Sequence, residues 1–217
     1  MEQLDPIVKI IALTMGAAWA SGINLYAALL VLGILGMTGN IVLPPDLQIL
    51  TNPIVVVAAG LMYLVEFVAD KIPGVDTGWD TVQTFVRIPL GALLAAGAVG
   101  EVNPPLALAA AIAGGSLAAG THAAKSGARV IINTSPEPFS NWIVSLLEDF
   151  VVIVGLWAAL YHPWVFVALL AIFIVLLIWL LPKLWRGVKK IFGYLAQLFR
   201  RKTMDPLPPE DPGCPHI

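Results

Sequence analysis

Long apolar stretches with few charged residues constrain the fold of this chain more than any other feature. Six of them approach or exceed the roughly 20 apolar residues that a helix needs to cross a bilayer. They cover residues 7–37, 53–70, 80–99, 105–131, 138–160 and 164–181. Because hydrocarbon cannot hydrogen-bond to free backbone groups, such spans form α-helices. The sequence therefore predicts an all-α membrane protein with six transmembrane spans.

The distribution of Lys and Arg predicts the orientation of these spans. All twelve basic residues can be placed on one side of the membrane, and the loops 38–52, 100–104 and 161–163 contain none. Loops rich in Lys and Arg stay in the cytoplasm. We therefore expect a multi-pass protein of the inner (plasma) membrane with both termini in the cytoplasm. The first residues, MEQLD, do not resemble a removable signal peptide.

The overall composition excludes an ordinary soluble domain. Hydrophobic residues make up 59% of the chain and charged residues 12%, whereas soluble domains average nearer one half and one quarter. Residues 1–182 are predicted to form one polytopic membrane domain. The single cysteine, Cys214, excludes an internal disulfide and a cysteine metal cluster.

Two related segments predict an internal duplication. GAAWASGIN at 16–24 and GGSLAAGTH at 114–122 share the pattern G-x5-G-x-[N/H], and the following spans share L-x-E around Glu66 and Glu148. Each repeat (7–99 and 105–181) would hold three helices, and because three is odd the copies would be inverted. Inverted repeats are frequent in secondary transporters, whose sites lie at the repeat interface on interrupted helices. The alternative is that small residues recur by chance.

The first helix of each repeat is a candidate for a break or a re-entrant turn. The 7–37 span would extend about 46 Å as a straight helix, well beyond a hydrocarbon core of roughly 30 Å. Residues 20–24 and 119–122 are the predicted break points. The alternative is that their glycines only permit close helix packing.

Charged residues inside the spans are the main candidates for a functional site. Glu148 and Asp149 would each cost roughly 2.5–3.5 kcal/mol facing lipid, so they are expected to face protein or water. Arg87 is the predicted partner of Glu148, because a guanidinium holds a carboxylate with two hydrogen bonds. The alternative is a buried pair that only orients helices.

Further polar residues are predicted to lie toward the cytoplasmic side. Glu66 and Asp70 share one helical face, and acids at this spacing suit a hard cation, although no loop matches a metal-binding motif. His122 titrates near neutrality, which suits proton coupling. His122, Lys125 and Arg129 lie on one face of the predicted helix, at spacings of three and four residues. Arg129 is interpreted as a side chain that extends to the membrane surface. Asn141 is predicted to donate a hydrogen bond into the same polar region at the cytoplasmic side.

After the last span, residues 183–202 alternate apolar and basic positions with helical periodicity. This pattern predicts an amphipathic helix in the membrane interface, attracted to anionic lipid. The alternative is a cytoplasmic helix that docks on a partner. Residues 203–217 are rich in Pro, Asp and Glu and are predicted to be disordered.

Several blocks of sequence resemble a known family. They are Glu66-x3-Asp70-Lys71-Ile72-Pro73, Trp79-Asp80-x3-Thr84-x2-Arg87-x-Pro89, His122-x2-Lys125-x3-Arg129-x3-Asn133-x-Ser135-Pro136 and Asn141-x3-Ser145-x2-Glu148-Asp149. Over residues 12–157 the chain resembles domain of unknown function 4126, a family of small bacterial integral membrane proteins. The resemblance implies no activity. The halves are also distantly similar to cation exporters with an E-x-G-D-K motif, but this chain has E-x3-D-K.

The leading hypothesis is a transporter or channel-like protein that moves a small ion or solute through a polar pathway at the repeat interface. The proposed pathway residues are Asn24, Glu66, Asp70, Arg87, His122, Lys125, Asn141, Glu148 and Asp149. One alternative is an enzyme at the cytoplasmic face that binds a lipid-linked phosphate through Lys125 and Arg129, with Asp70 or Asp80 as base or metal ligand. Another is a structural or assembly protein. No catalytic or nucleotide motif occurs, no cofactor or nucleic-acid partner is expected, and assembly into a homo-oligomer is left open.

Overall fold

The architecture is entirely helical in the residues that the computed structural model describes, which are 4–100, 104–134 and 138–202. In these residues six α-helices and one 3₁₀ helix follow one another, without strands. They are α1 (Leu4–Met37), a 3₁₀ helix (Pro45–Thr51), α2 (Pro53–Ala69), α3 (Val75–Val99), α4 (Pro104–Ile132), α5 (Pro138–Tyr161) and α6 (Pro163–Lys202). The predicted all-α class is confirmed, and each predicted span falls on one of the helices.

Five of the described helices are long and apolar enough to cross a membrane, namely α1, α3, α4, α5 and α6. The remaining helix, α2, has 17 residues and spans about 25 Å at the standard rise. Helix α2 is long and apolar enough to cross a membrane only together with the 3₁₀ helix before it. The axes of these two helices are bent by 67° relative to each other. The chain is therefore a multi-pass membrane protein, and the predicted second span, 53–70, is long enough only as part of this bent pair.

A tight turn makes α2 and α3 a hairpin. The side chain of Asn52 accepts from the backbone N–H of Ile54 and so begins α2, with Pro53 in the first helical position. At the other end Gly74 adopts a φ of +85°, which is unfavourable for residues with a Cβ, and α3 begins at the next residue. This hairpin brings the acidic end of α2 beside the start of α3.

Helix α1 is interrupted at Asn24, which has φ −143° and ψ 99°. The Asn24 Oδ1 accepts from the backbone N–H of Ala27 at 2.9 Å. Because an N-cap residue is extended and accepts from the third helical N–H, Asn24 acts as the N-cap of the second half of α1. The predicted break in the first helix is confirmed.

Helix α4 has no corresponding break, so the prediction for 119–122 is wrong. The helix runs without interruption from Pro104 to Ile132. Its small residues allow close packing instead: a Cβ added to Gly120 would lie 3.0 Å from the side chain of Leu177 in α6. At the crossing with α1, a Cβ on Gly22 would meet the Ala118 carbonyl at 2.6 Å. In α4 the glycines thus serve packing, which was the alternative interpretation.

The last helix continues beyond the apolar region. Helix α6 passes through Pro182 and ends at Lys202, so residues 183–202 extend the sixth span rather than starting a separate helix. Its 40 residues reach about 60 Å, twice the roughly 30 Å of a hydrocarbon core. Leu184 packs beside Gly127 of α4. The position of residues 183–202 at the membrane surface remains a prediction. The predicted disordered tail, 203–217, lies outside the described residues.

Candidate functional site

Nine ionisable side chains meet where α2, α3, α4 and α5 approach the break in α1. We call them the charged cluster: Glu66, Asp70, Asp76, Asp80, Glu148, Asp149, Arg87, Lys125 and Arg129. All are buried except Glu148, whose side chain is 16% exposed. Charges that leave water are strongly destabilising unless they are paired, so the partners of each member decide whether the cluster can exist.

Arg87 of α3 pairs with carboxylates of its own hairpin. Its Nη2 donates to Glu66 Oε1 at 2.6 Å and its Nη1 donates to Asp80 Oδ1 at 3.2 Å. The predicted pair between Arg87 and Glu148 is therefore wrong. The short turn between α2 and α3 keeps Glu66 within reach of Arg87, whereas Glu148 lies on another hairpin with its own arginine.

That arginine is Arg129 of α4. Its Nη2 donates to Glu148 Oε2 at 2.6 Å, and its Nη1 donates to the Asp70 carbonyl at 2.8 Å. The side chain is wholly buried. The interpretation of Arg129 as a surface-seeking side chain is wrong, because two acidic residues hold it inside the protein.

Lys125 lies at the centre of the charged cluster and joins its two arginine pairs. Its Nζ contacts four carboxylates and one backbone carbonyl: Asp70 Oδ2 at 2.9 Å, Ile23 O at 3.0 Å, Glu148 Oε2 at 3.3 Å, Glu66 Oε1 at 3.5 Å and Asp80 Oδ1 at 3.9 Å. One ammonium thus connects acids of three helices, and a change at any of these acids will be felt by the others.

The break in α1 supplies the carbonyl that binds Lys125. In an unbroken helix, the Ile23 carbonyl would accept from the N–H of Ala27. The Asn24 side chain takes that N–H instead, at 2.9 Å. The Ile23 carbonyl is consequently available, and the Lys125 Nζ donates to it at 3.0 Å. The interruption of α1 is therefore part of the charged cluster.

Asp149 differs from the other acids because only neutral groups hold it. Asn24 Nδ2 donates to its Oδ1 at 2.9 Å, and Tyr63 Oη donates to its Oδ2 at 3.2 Å. In the part of the chain that the structure describes, no Lys, Arg or His forms an ion pair with Asp149. Asp149 is thus a buried carboxyl tied directly to the N-cap of the broken helix.

The contacts of His122 define its protonation. Its Nδ1 lies 3.0 Å from Arg87 Nη1, which can only donate. Its Nε2 lies 3.1 Å from the Asp80 carbonyl, which can only accept. These neighbours assign a neutral ring with the proton on Nε2. A second proton, as the proton-coupling hypothesis requires, would first need Arg87 to move away.

Near the turn between α2 and α3, the site continues as a chain of hydrogen bonds between two asparagine amides and one acid. Asn141 Nδ2 donates to Asn133 Oδ1 at 2.8 Å. Asn133 Nδ2 in turn donates to Asp76 Oδ1 at 2.8 Å. Asp76 also accepts from the backbone N–H groups of Gly74 and Thr77 at the start of α3. The predicted site residue Asn141 therefore adjoins the charged cluster through Asn133 and Asp76.

The charged cluster and the break in α1 lie within a region that matches a known protein family. The family described as domain of unknown function (DUF4126) matches residues 11–183. The chain belongs to this family. The matched region contains the whole charged cluster and the break in α1, so both features lie in the DUF4126 domain itself. No curated protein and no solved structure matches the chain.

The charged cluster of this DUF4126 protein contains more acids than cations. Six carboxylates face three cations, which leaves three formal negative charges without a fixed counterpart. Within the described part of the chain, the buried carboxylate oxygens Glu66 Oε2 and Asp70 Oδ1 have no hydrogen-bond partner. Among the described residues, no group of three or more His, Cys, Asp and Glu side chains is arranged to hold a metal ion. A buried carboxylate without a partner is strongly destabilising, and such a group is generally neutral instead.

Sequence reasoning located most of the site but did not assign four of its residues to the pathway, namely Asp76, Asp80 and Arg129 of the charged cluster and Tyr63 beside it. Arg129 was interpreted as a side chain that extends to the membrane surface, and Asp76 and Asp80 were not placed among the pathway residues. Tyr63 was not considered, although it precedes Glu66 by three positions and so shares its helical face. A search for polar side chains one helical turn from each buried acid would have found Tyr63, Asp76 and Asp80, whereas Arg129 lies one turn from Lys125.

Proposed function

We propose that this protein is a transporter of the inner membrane that moves a small ion or solute through the charged cluster. The break in α1 carries the proposal, since it presents the Ile23 carbonyl and the Asn24 side chain to buried charges. Broken helices that expose backbone groups to a polar cavity are typical of transporter binding sites.

The positions of the acids support a pathway at the interface of two inverted repeats. Glu66 and Glu148 occupy matching positions in the proposed repeats, and both contact the same ammonium of Lys125, at 3.5 and 3.3 Å. Each also binds an arginine at 2.6 Å, Arg87 or Arg129. A central lysine between two similar acid–arginine pairs provides two alternative sets of partners, as alternating access between the halves requires.

The charge balance favours protons or cations as the transported or coupled species. The three surplus negative charges attract positive charge and oppose the entry of an anion. The two cations proposed to hold a lipid-linked phosphate, Lys125 and Arg129, already bind carboxylates at 2.9 and 2.6 Å. These contacts support transport over the enzymatic alternative.

The proposed orientation follows from the basic residues of α6. Lys183, Arg186, Lys189 and Lys190 follow its apolar part, which supports a cytoplasmic carboxyl end near anionic lipid. An even number of spans, with the bent 3₁₀–α2 pair as one of them, then leaves the amino terminus on the same side. The charged cluster would open toward the cytoplasm.

The proposal is tested by flux into proteoliposomes that contain the purified full chain. Uptake of H⁺, Na⁺ and K⁺ is measured with ion-selective dyes, followed by a panel of small organic cations. We expect flux above that of empty liposomes for at least one of them. Glu66→Gln and Glu148→Gln should each reduce it at least tenfold, while Asp46→Asn, at an exposed acid of the 3₁₀ helix, should leave it unchanged.

Thermal unfolding in detergent shows whether each variant is folded before its flux is interpreted. Absence of flux for every cation with folded wild-type protein would contradict the proposal. So would full activity in a folded Arg87→Ala, Glu148→Ala double variant, which would favour a structural role.

A further inference from the structure

A groove between α4 and α5 leads from the outer face of the helix bundle to the charged cluster. It has a volume of about 250 Å³, and Leu147, Val151 and Phe173 form its apolar walls. Lys125 and Glu148 lie at its inner end. Leu147 is 55% exposed and Val151 43% exposed, so the mouth opens where a membrane protein meets lipid. The groove therefore connects hydrocarbon with buried charge.

A second, wholly apolar cavity continues the groove along α5. Its volume is about 260 Å³, and it shares Val151 and Phe173 with the first. Trp19, Gly155 and Phe166 form its far end. From position 144 to position 158 the two cavities follow α5 for about 21 Å at the helical rise. Together they form an elongated site that is charged at one end and apolar at the other.

At the charged end, two polar atoms have no hydrogen-bond partner among the residues that the structure describes. Glu148 uses Oε2 for both Arg129 and Lys125, and no hydrogen bond to its Oε1 occurs within the described residues. Thr121 Oγ1 is buried, also lacks a partner, and lines the same groove. The donors of Lys125, by contrast, are taken by carboxylates and the Ile23 carbonyl. The groove thus offers a carboxylate oxygen and a hydroxyl, but no free cation.

We infer that this groove binds an amphiphilic cation that enters from the bilayer, namely an ammonium group that carries a single alkyl chain. The ammonium would donate to Glu148 Oε1 and Thr121 Oγ1, while the chain would follow α5 past Val151 toward Trp19. Positive charge also offsets the surplus of acids. An anionic head group would meet a carboxylate without a free donor.

The inference depends on the proposed function only for the transport step, for which it names the substrate class. Binding itself is tested separately. The full chain is reconstituted in nanodiscs of zwitterionic lipid, and binding of decylammonium is measured by equilibrium dialysis below its micellar concentration. Decanol and decanoate, which have the same chain with a neutral or an anionic head, are the matched probes. We expect decylammonium to bind at least tenfold more tightly than either.

Variants locate the site. Glu148→Gln should weaken decylammonium binding at least tenfold, and Thr121→Val should weaken it by a smaller factor. Val151→Trp fills the junction of the two cavities without a change in charge and should abolish binding. Ile143→Trp, at a 59% exposed position of α5 that lines neither cavity, is the control and should bind as wild type does.

Equal affinity for decylammonium and decanol would overturn the inference and would identify the groove as a seat for ordinary lipid chains. Unchanged binding in folded Val151→Trp would also overturn it. Flux of inorganic cations without decylammonium binding would leave the proposed transport intact and contradict this inference alone. Binding of decylammonium without flux of any ion or solute would support the site and contradict transport.

Discussion

The charged cluster and the apolar core around Trp19 hold neighbouring parts of the helix bundle together by different physical means. At Trp19 the ring covers Gly155 and packs edge-on against Phe166 and Phe173, with centroids 6.0 and 6.1 Å away. Hydrocarbon solvates apolar side chains as well as protein does, so contacts here depend on shape and close approach. In the charged cluster, stability depends on matched charge. The first region should therefore be sensitive to volume and the second to ionisation.

The largest effect is expected for Arg87→Met. The substitution keeps much of the side-chain volume but leaves Glu66 and Asp80 buried without their arginine, and loss of one partner of a buried pair costs about 3–5 kcal/mol. Denaturant unfolding in detergent micelles measures the change. Arg186→Met, at an exposed arginine of α6, is the control and should change stability by less than about 0.5 kcal/mol.

The charge argument can be sharpened with a second substitution. Adding Glu66→Gln to Arg87→Met removes one of the two uncompensated acids, so part of the lost stability should return. A double variant that is less stable than Arg87→Met alone would show that side-chain shape matters in the charged cluster as well.

In the apolar core the expected effect is steric. An alanine methyl at position 155 would overlap the Trp19 ring, and such overpacking costs about 1–3 kcal/mol. Gly60→Ala is the matched control in α2, because its methyl would lie 3.7 Å from Leu30 and would favour the helix. The same unfolding assay compares the two. Equal stability of both variants would contradict the view that this core depends on close approach.

A smaller loss is expected for Asn24→Ala at the boundary between the two regions. The variant removes the cap on Ala27 and a donor to Asp149, and loss of an N-cap costs about 0.5–2 kcal/mol. We expect a larger relative loss of flux than of unfolding free energy, because the break carries the proposed site. Asn40→Ala, at an exposed asparagine outside the helices, is the control for both measurements.

The smallest effect is expected for Tyr26→Phe, which removes a neutral hydrogen bond between α1 and α3. Gln83 Nε2 donates to Tyr26 Oη at 3.0 Å, and a bond of this kind contributes about 0.5–1.5 kcal/mol. Tyr161→Phe, at a 45% exposed tyrosine, should be silent in the same unfolding assay. A loss as large as that of Arg87→Met would remove the distinction between charged and neutral contacts.

The sequence predicted the helices and the residues of the site better than it predicted their partners. Apolar length and helical periodicity depend on local chemistry, so the spans and the stripe from His122 to Arg129 were visible. Partners depend on how hairpins pack, which periodicity does not encode, and Arg87 was therefore matched with Glu148 instead of Glu66. The depth of Arg129 was missed for the same reason.

The break in the first helix was predicted, whereas the same pattern failed in α4 because one residue differs. At the end of the shared motif, α1 has Asn24 and α4 has His122. An asparagine oxygen is short enough to cap the helix that follows it. The imidazole of His122 instead contacts Arg87, Thr84 and Asp80, and α4 remains continuous. Glycine spacing alone does not distinguish a break from close packing.

The burial of Arg87, Lys125 and Arg129 has a consequence for how the protein is made. An isolated helix with one of these cations at its centre enters lipid at a cost of about 2.5–3.5 kcal/mol. The hairpin of α2 and α3 neutralises Arg87 internally and can leave the insertion machinery as a unit. Helix α4, with two cations, can pair with Asp70, which is synthesised before it, but should be retained there until Glu148 of α5 arrives. Substitutions at those acids would then lower the yield of inserted protein during biogenesis, before any mature molecule is unfolded.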